Sequence, residues 1–70
     1  MDIRLYTRVI IRKNGLYLQG KCVLSGELIW CQSMYDAWWT RDAKLARNVA
    51  LKTGGTAMLW NPIVRKVAVM

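Results

Sequence analysis

The stretch IRLYTRVIIRKNGLYLQGK, residues 3–21, decides how this chain folds. Its first half alternates: Ile3, Leu5, Val9 and Ile11 fall on one side of an extended chain, and Arg4, Tyr6, Arg8, Ile10 and Arg12 on the other. A period of two is the signature of a half-buried strand. Asn14-Gly15 then supplies two residues that tolerate positive φ, the requirement of a type I′ hairpin turn. A two-residue loop sets Arg12 opposite Tyr17, Ile10 opposite Gln19 and Arg8 opposite Lys21. The same register brings Ile11 to Leu18 and Leu5 to Leu24, so apolar residues meet apolar residues across the pair.

Working outward, LSGEL (residues 24–28) reads as a second tight turn at Ser25-Gly26, leading into a strand from Glu27 to Gln32. With a two-residue loop, Leu28 and Trp30 share the outer face while Ile29 and Cys31 point to the core; a longer loop exchanges those faces. Residues 33–40 form a connection. A helix follows over residues 41–53, with Thr40 as N-cap, Asp42 in the first turn and Gly54-Gly55 as the left-handed end. Ala43, Leu45, Ala46, Val49 and Ala50 form its apolar stripe, opposite Lys44, Arg47, Asn48 and Lys52. Leu51 falls among the polar residues. TAMLW (residues 56–60) reads as a fourth strand that Asn61-Pro62 turns or interrupts. The segment IVRKVAVM (residues 63–70) is apolar enough to be ordered, as an edge strand or a partner-exchange segment. The expected fold is α+β: a small antiparallel β-β-β-α-β sheet with one helix packed on one face and a C-terminal extended segment. It forms a single domain over residues 1–70.

With 70 residues, 54% of them hydrophobic, the chain can build a core but has little depth in which to hide apolar surface. Self-association as a homo-oligomer is therefore expected. Eleven Lys and Arg against four acids (Asp2, Glu27, Asp36 and Asp42) give a net charge of +7, which favours an anionic partner. Histidine is absent, the four acids are scattered, and there is no P-loop or GxGxxG. Catalysis is accordingly not expected, and neither is a cofactor. Cys22 and Cys31 lack metal-ligand spacing and fall on expected core positions, where they read as buried free thiols. No leader-like or membrane-spanning apolar run is present, so the expected location is a reducing cytoplasm.

One sheet face is covered by the helix, and the sequence offers no second layer for the other. That face is expected to carry Arg4, Tyr6, Arg8, Arg12, Tyr17, Lys21 and Trp30. Cations interleaved with flat rings suit nucleic acid, nucleotides or acidic protein segments, while an open sheet face also suits dimerisation. Arg8 opposite Lys21 favours the ligand, because that like-charge pair is unfavourable until an anion meets it. In MYDAWWTRDA (residues 34–43) two consecutive tryptophans point opposite ways. Trp38 is assigned to the core; Trp39, beside Arg41 at the helix N-terminus, is assigned as a contact residue.

The segments YLQG, GELIWCQSMYDAWWT, DAKLARNVALKTGG and WNPI together resemble a group of small, mostly uncharacterised phage and prophage proteins. In that group a Gly-rich hairpin precedes a W…DAW-x-T segment, an Ala/Val helix and a GG turn. The likeness spans residues 10–63, with Trp38 at the retained aromatic position; Trp39 and the basic first strand depart from the pattern. The resemblance implies a binding role in an infected or lysogenic bacterium. The expected function is a phage-encoded, non-catalytic inhibitor of a host defence component, anti-CRISPR-like or nucleotide-sequestering. The alternatives are a small nucleic-acid-binding accessory protein and a structural, oligomerising protein. Whatever the role, Gly15→Val should destabilise the fold, since a β-branched residue resists positive φ; a lowered thermal midpoint is the readout.

Overall fold

Asn14 and Gly15 adopt φ of 53° and 77°, the left-handed pair a type I′ turn requires, and they join β1 (Arg8–Lys13) to β2 (Leu16–Lys21). The computed structural model describes residues 6–70; Ile3, Arg4 and Leu5 lie outside the described residues. After the hairpin come β3 (Leu28–Cys31), a 3-10 turn at Met34–Asp36, α1 (Ala43–Thr53), β4 (Thr56–Asn61) and β5 (Lys66–Val69). The strands form one antiparallel sheet in the order β3-β2-β1-β4-β5, and α1 packs on β1 and β4. The α+β expectation holds with one strand more than the four anticipated, because the C-terminal segment becomes an edge strand.

The hairpin is not zipped along its length. Only Arg12 and Lys13 pair with Tyr17 and Leu16. Beyond them β1 and β2 splay, and residues 37–40 occupy the wedge. Val9 and Thr40 exchange both backbone hydrogen bonds, at 2.8 and 3.0 Å, and the Trp38 amide donates to the Leu18 carbonyl at 2.8 Å. The expected Arg8–Lys21 pair therefore does not form, and the like-charge argument built on it falls.

Ile10 and Ile11 are neighbours in β1, point to opposite faces, and both have 0% exposure. Each face must therefore have a cover. Ile11 lies on the helix face with Val9 and Leu18, where α1 contributes Ala46 and Thr53, both buried. Ile10 lies on the other, distal face, where it clusters with Ala37, Met58 and Trp60, and Tyr17, Cys31 and Met34 pack against them. The Tyr35 ring meets Trp60 edge-on, with centroids 5.4 Å apart. The face expected to be open is thus covered across its middle by residues 34–37. A short 3-10 turn that carries Met34 and Tyr35 does the work of a second layer.

Two local features overturn the expected faces of β3. The connection is longer than Ser25-Gly26 alone: the Cys22 amide donates to the Glu27 carbonyl and the Gly26 amide to the Cys22 carbonyl. A bulge also falls between Leu18 and Gly20. Trp30 pairs with Leu18 on the helix face, and Cys31 pairs with Tyr17 on the distal face, the reverse of the two-residue-loop expectation. The bulge likewise turns Lys21, opposite Leu28, onto the helix face.

The helix begins at Ala43 rather than at residue 41, because Asp42 is the N-cap and accepts from the Leu45 amide at 3.1 Å. Thr40 plays a supporting part, its Oγ1 accepting from the Asp42 amide. The buried stripe runs through Ala46 and Thr53, with Val49 and Ala50 half-buried, while Ala43, Leu45 and Leu51 are exposed. At the other end Gly54 takes φ of 73° as the left-handed cap, as expected. Lys13 Nζ donates to the Thr53 carbonyl at 3.0 Å, tying the helix end to β1.

Gly55 is needed for space. A Cβ there would sit 2.6 Å from Ile11 Cγ2 and 3.1 Å from the Arg12 carbonyl oxygen. Ile11 is fully enclosed and cannot retreat. Gly55→Ala should cost about 1–3 kcal/mol by overpacking. Gly20→Ala, where nothing lies within 4 Å of the added Cβ, should be neutral or stabilising by up to about 1 kcal/mol. Urea unfolding of both variants checks the contrast.

Candidate binding site

Residues 37–40 run as an extended segment beside β1, so their side chains alternate between the two faces. Ala37 enters the distal cluster. Trp38 turns to the helix face and is half-buried, lining a cleft of about 470 Å³ with Leu18, Leu28, Val49 and Lys52. Trp39 turns back to the distal face and is 38% exposed. The two side chains do part as expected, Trp39 toward solvent and Trp38 inward, but Trp38 stays half-buried at the cleft and is not part of the buried core.

Trp39 meets Arg8 of β1 and Arg41 of the helix approach. Arg8 Cζ lies 4.4 Å, and Arg41 Cζ 4.9 Å, from the centroid of the Trp39 ring. Both distances are within cation–π range, worth about 0.5–1 kcal/mol each at an exposed ring. The two guanidiniums thus lie within 9.3 Å of each other, the sum of those separations, and inside one Debye length at roughly 0.1 M salt. Arg8 is half-buried and its Nε is enclosed without a hydrogen-bond partner. The Trp39 ring packs against this guanidinium, and the residue as a whole remains partly open to solvent. Arg41 is exposed.

The other expected site residues do not join this cluster. Arg12 and Tyr17 face each other on the distal side, but Ile10 and its Ala37 cover lie between them and Arg8. Arg12 is exposed, whereas Tyr17 packs against the distal cluster. Lys21 and Trp30 are on the helix face, as described above. Tyr6 is half-buried and precedes β1, and Arg4 lies outside the described residues. One broad basic aromatic face is replaced by a compact Arg8–Trp39–Arg41 cluster and a separate Arg12 patch.

The sequence reading missed Tyr35, which is 57% exposed and stands on Trp60 at the edge of the same face. Ser33 was the available signal. Its Oγ accepts from the Tyr35 amide and its carbonyl from the Asp36 amide, so it starts the turn that lifts Tyr35 onto the sheet. Among the described residues no group of three or more Cys, Asp or Glu side chains could hold a metal ion. No helix among them is long and apolar enough to cross a membrane.

Compared with known proteins, the chain matches no family model, no curated sequence and no solved structure. The functional reading therefore rests on the residues and on the motif resemblance they carry.

Both cysteines are free and half-buried, and their settings differ. Cys31 donates from Sγ to the Ser33 carbonyl beside the distal cluster. Cys22 lies in the loop rather than in the core, and hydrogen bonds from the Ser25 side chain and from the Ser25 and Leu24 amides lower its pKa. A lowered pKa places more thiolate at a given pH. Cys22 should therefore alkylate first, with a pH profile displaced to the acid side of an ordinary thiol. Iodoacetamide labelling with peptide mapping across pH checks this; faster labelling of Cys31 would contradict it.

Proposed function

We propose that this chain is a non-catalytic binding protein that engages an acidic surface of a protein partner through Arg8, Trp39 and Arg41. The observation that carries the reading is the half-exposed Trp39 ring with two guanidiniums held against it. Guanidiniums present planar forks suited to carboxylates, and anchoring on a ring lowers the entropy cost of using them. The net charge of +7 supports an anionic partner. The likeness to small phage and prophage proteins supports a host defence component as that partner, met in the bacterial cytoplasm and inhibited by occupation of its surface. Capture of an anionic nucleotide signal uses the same cluster on a smaller scale.

The second reading, a small nucleic-acid-binding accessory protein, draws on the total charge and on Arg12 beside Tyr17. Two features rank it lower. A guanidinium already lies over the Trp39 ring, which leaves less of its face for base stacking. The remaining described cations outside that cluster and Arg12 are divided among several places: Lys21 and Lys52 share the cleft on the helix face, Lys13 is bonded at the helix end, Lys44 and Arg47 lie elsewhere on α1, and Arg65 and Lys66 lie at the far edge.

A salt titration against single-stranded and duplex DNA separates the readings. Nucleic-acid binding should weaken log-linearly with salt, each phosphate contact adding about 0.9 to the slope on duplex and about 0.7 on single strands. On the preferred reading, DNA binds weakly and is lost near physiological salt. Binding to an acidic protein surface should then survive and fall by about tenfold or more in Trp39→Ala or Arg41→Ala, as at an anchor residue. Arg12→Ala should leave it unchanged. Tight, salt-resistant DNA binding that depends on Tyr17 would overturn the proposal.

A further inference from the structure

β5 is an edge strand protected only by its shortness and by Lys66 at its first position. Lys66, Val67, Ala68 and Val69 are all exposed, with Val67 at 41% and Val69 at 68%. The strand has no proline and no bulge in its register with β4. Natural edges commonly carry such devices to block further pairing.

Its free hydrogen-bonding groups can be assigned. The Met70 amide donates to the Ala57 carbonyl at 3.1 Å, and Met70 stands opposite Ala57 by continuation of the β4–β5 register. That makes the pair a hydrogen-bonded one, and such pairs alternate along an antiparallel ladder. Ala68 and Lys66 therefore bond inward to β4. Val67 and Val69 direct their N–H and C=O groups outward, to the open side of the sheet.

We infer that this edge pairs with the β5 edge of a second copy of the chain, antiparallel about a two-fold axis at Ala68. The pairing is self-complementary. Val67 faces the second copy's Val69, and Val69 its Val67, and the two pairs exchange four backbone hydrogen bonds. Ala68 faces its own counterpart at a non-hydrogen-bonded position, where the chains approach most closely and a small side chain fits. Valine meets valine on the distal face, a favourable cross-strand pair.

The charges suit this register. Lys66 falls opposite Met70, not opposite the second copy's Lys66. The two lysines stand four residues apart along the strands, roughly 13 Å, beyond the Debye length at about 0.15 M salt. The Lys66 stem can lie along the methionine while its ammonium stays in water. The strip is short, so the dimer should be in concentration-dependent exchange. Its net charge should make it stronger as salt rises, opposite in sign to binding at the Arg8–Trp39–Arg41 cluster.

Two measurements on the full chain test the inference. Sedimentation equilibrium should show a monomer–dimer equilibrium that strengthens with salt. Val69→Pro removes only outward-pointing N–H groups, which an edge strand tolerates, and should weaken association by about tenfold or more while circular dichroism stays unchanged. For register, Ala68→Cys should form a 68–68 disulfide on mild oxidation, confirmed by peptide mapping against the native Cys22 and Cys31. Val67→Cys, facing a valine, should not link to itself. A strict monomer at the highest soluble concentration would overturn the inference, and so would self-linkage at residue 67 with none at residue 68.

Discussion

The backbone pairing of Val9 with Thr40 organises this molecule. Where β1 and β2 part, each would leave a row of N–H and C=O groups facing a gap, and buried groups of that kind are costly to leave unpaired. Residues 37–40 satisfy them, with Thr40 bonding Val9 and the Trp38 amide bonding the Leu18 carbonyl. The same four residues carry the chain from the 3-10 turn on the distal face to α1 on the helix face. Both layers are therefore anchored to one short extended segment. Ile10 and Ile11 can both be fully buried only because that crossing lets a single connection cover one face and deliver the helix to the other.

Much of this was legible in sequence, and for definable reasons. The Asn14-Gly15 turn and the Gly54 cap were readable because each requires positive φ, a property local to a few residues. The strand character of β1 followed from the alternation of residues 3–12, and TAMLW (residues 56–60) was bounded by the glycines before it and Asn61-Pro62 after it. The splay was not readable, because it depends on a competition between Leu18 and residues 38–40 for the same edge of β1. The bulge between Leu18 and Gly20 left one trace, a glycine inside a strand pattern, but its consequence lay elsewhere: Lys21 and Trp30 moved to the helix face. A one-residue irregularity inverts every assignment beyond it, and so part of the expected basic face dispersed.

Trp39 and Arg41 were recoverable because an extended segment before a helix cap must alternate, which a sequence alone can reveal. Arg8 was anticipated on this face from the alternation of the first strand, but with Lys21 rather than Trp39 beside it. What brings it to the site is the Val9–Thr40 ladder, which sets the neighbouring residues of the two segments side by side. The cluster is thus tied to the backbone pairing that closes the sheet. Its geometry should be as durable as the fold around it, unlike a pair of long side chains meeting on an unsupported surface.

The cluster and the C-terminal edge are two sheet positions apart, and the topology relates them. Arg8 stands opposite Trp60, and Trp60 opposite Val67, so Arg8 lies in the row next to the proposed two-fold axis. An axis perpendicular to the sheet keeps the distal faces of both copies on one side. Between the two β1 strands lie five inter-strand spacings, so the paired clusters would stand roughly 25 Å apart. A dimer of this kind converts a modest one-site contact into a two-point grip, and avidity depends on the partner offering acidic groups at that spacing. A partner with a single acidic site gains nothing from the second cluster. A two-fold or repeating partner gains most, and association of this chain with itself then becomes a means of selecting what it binds.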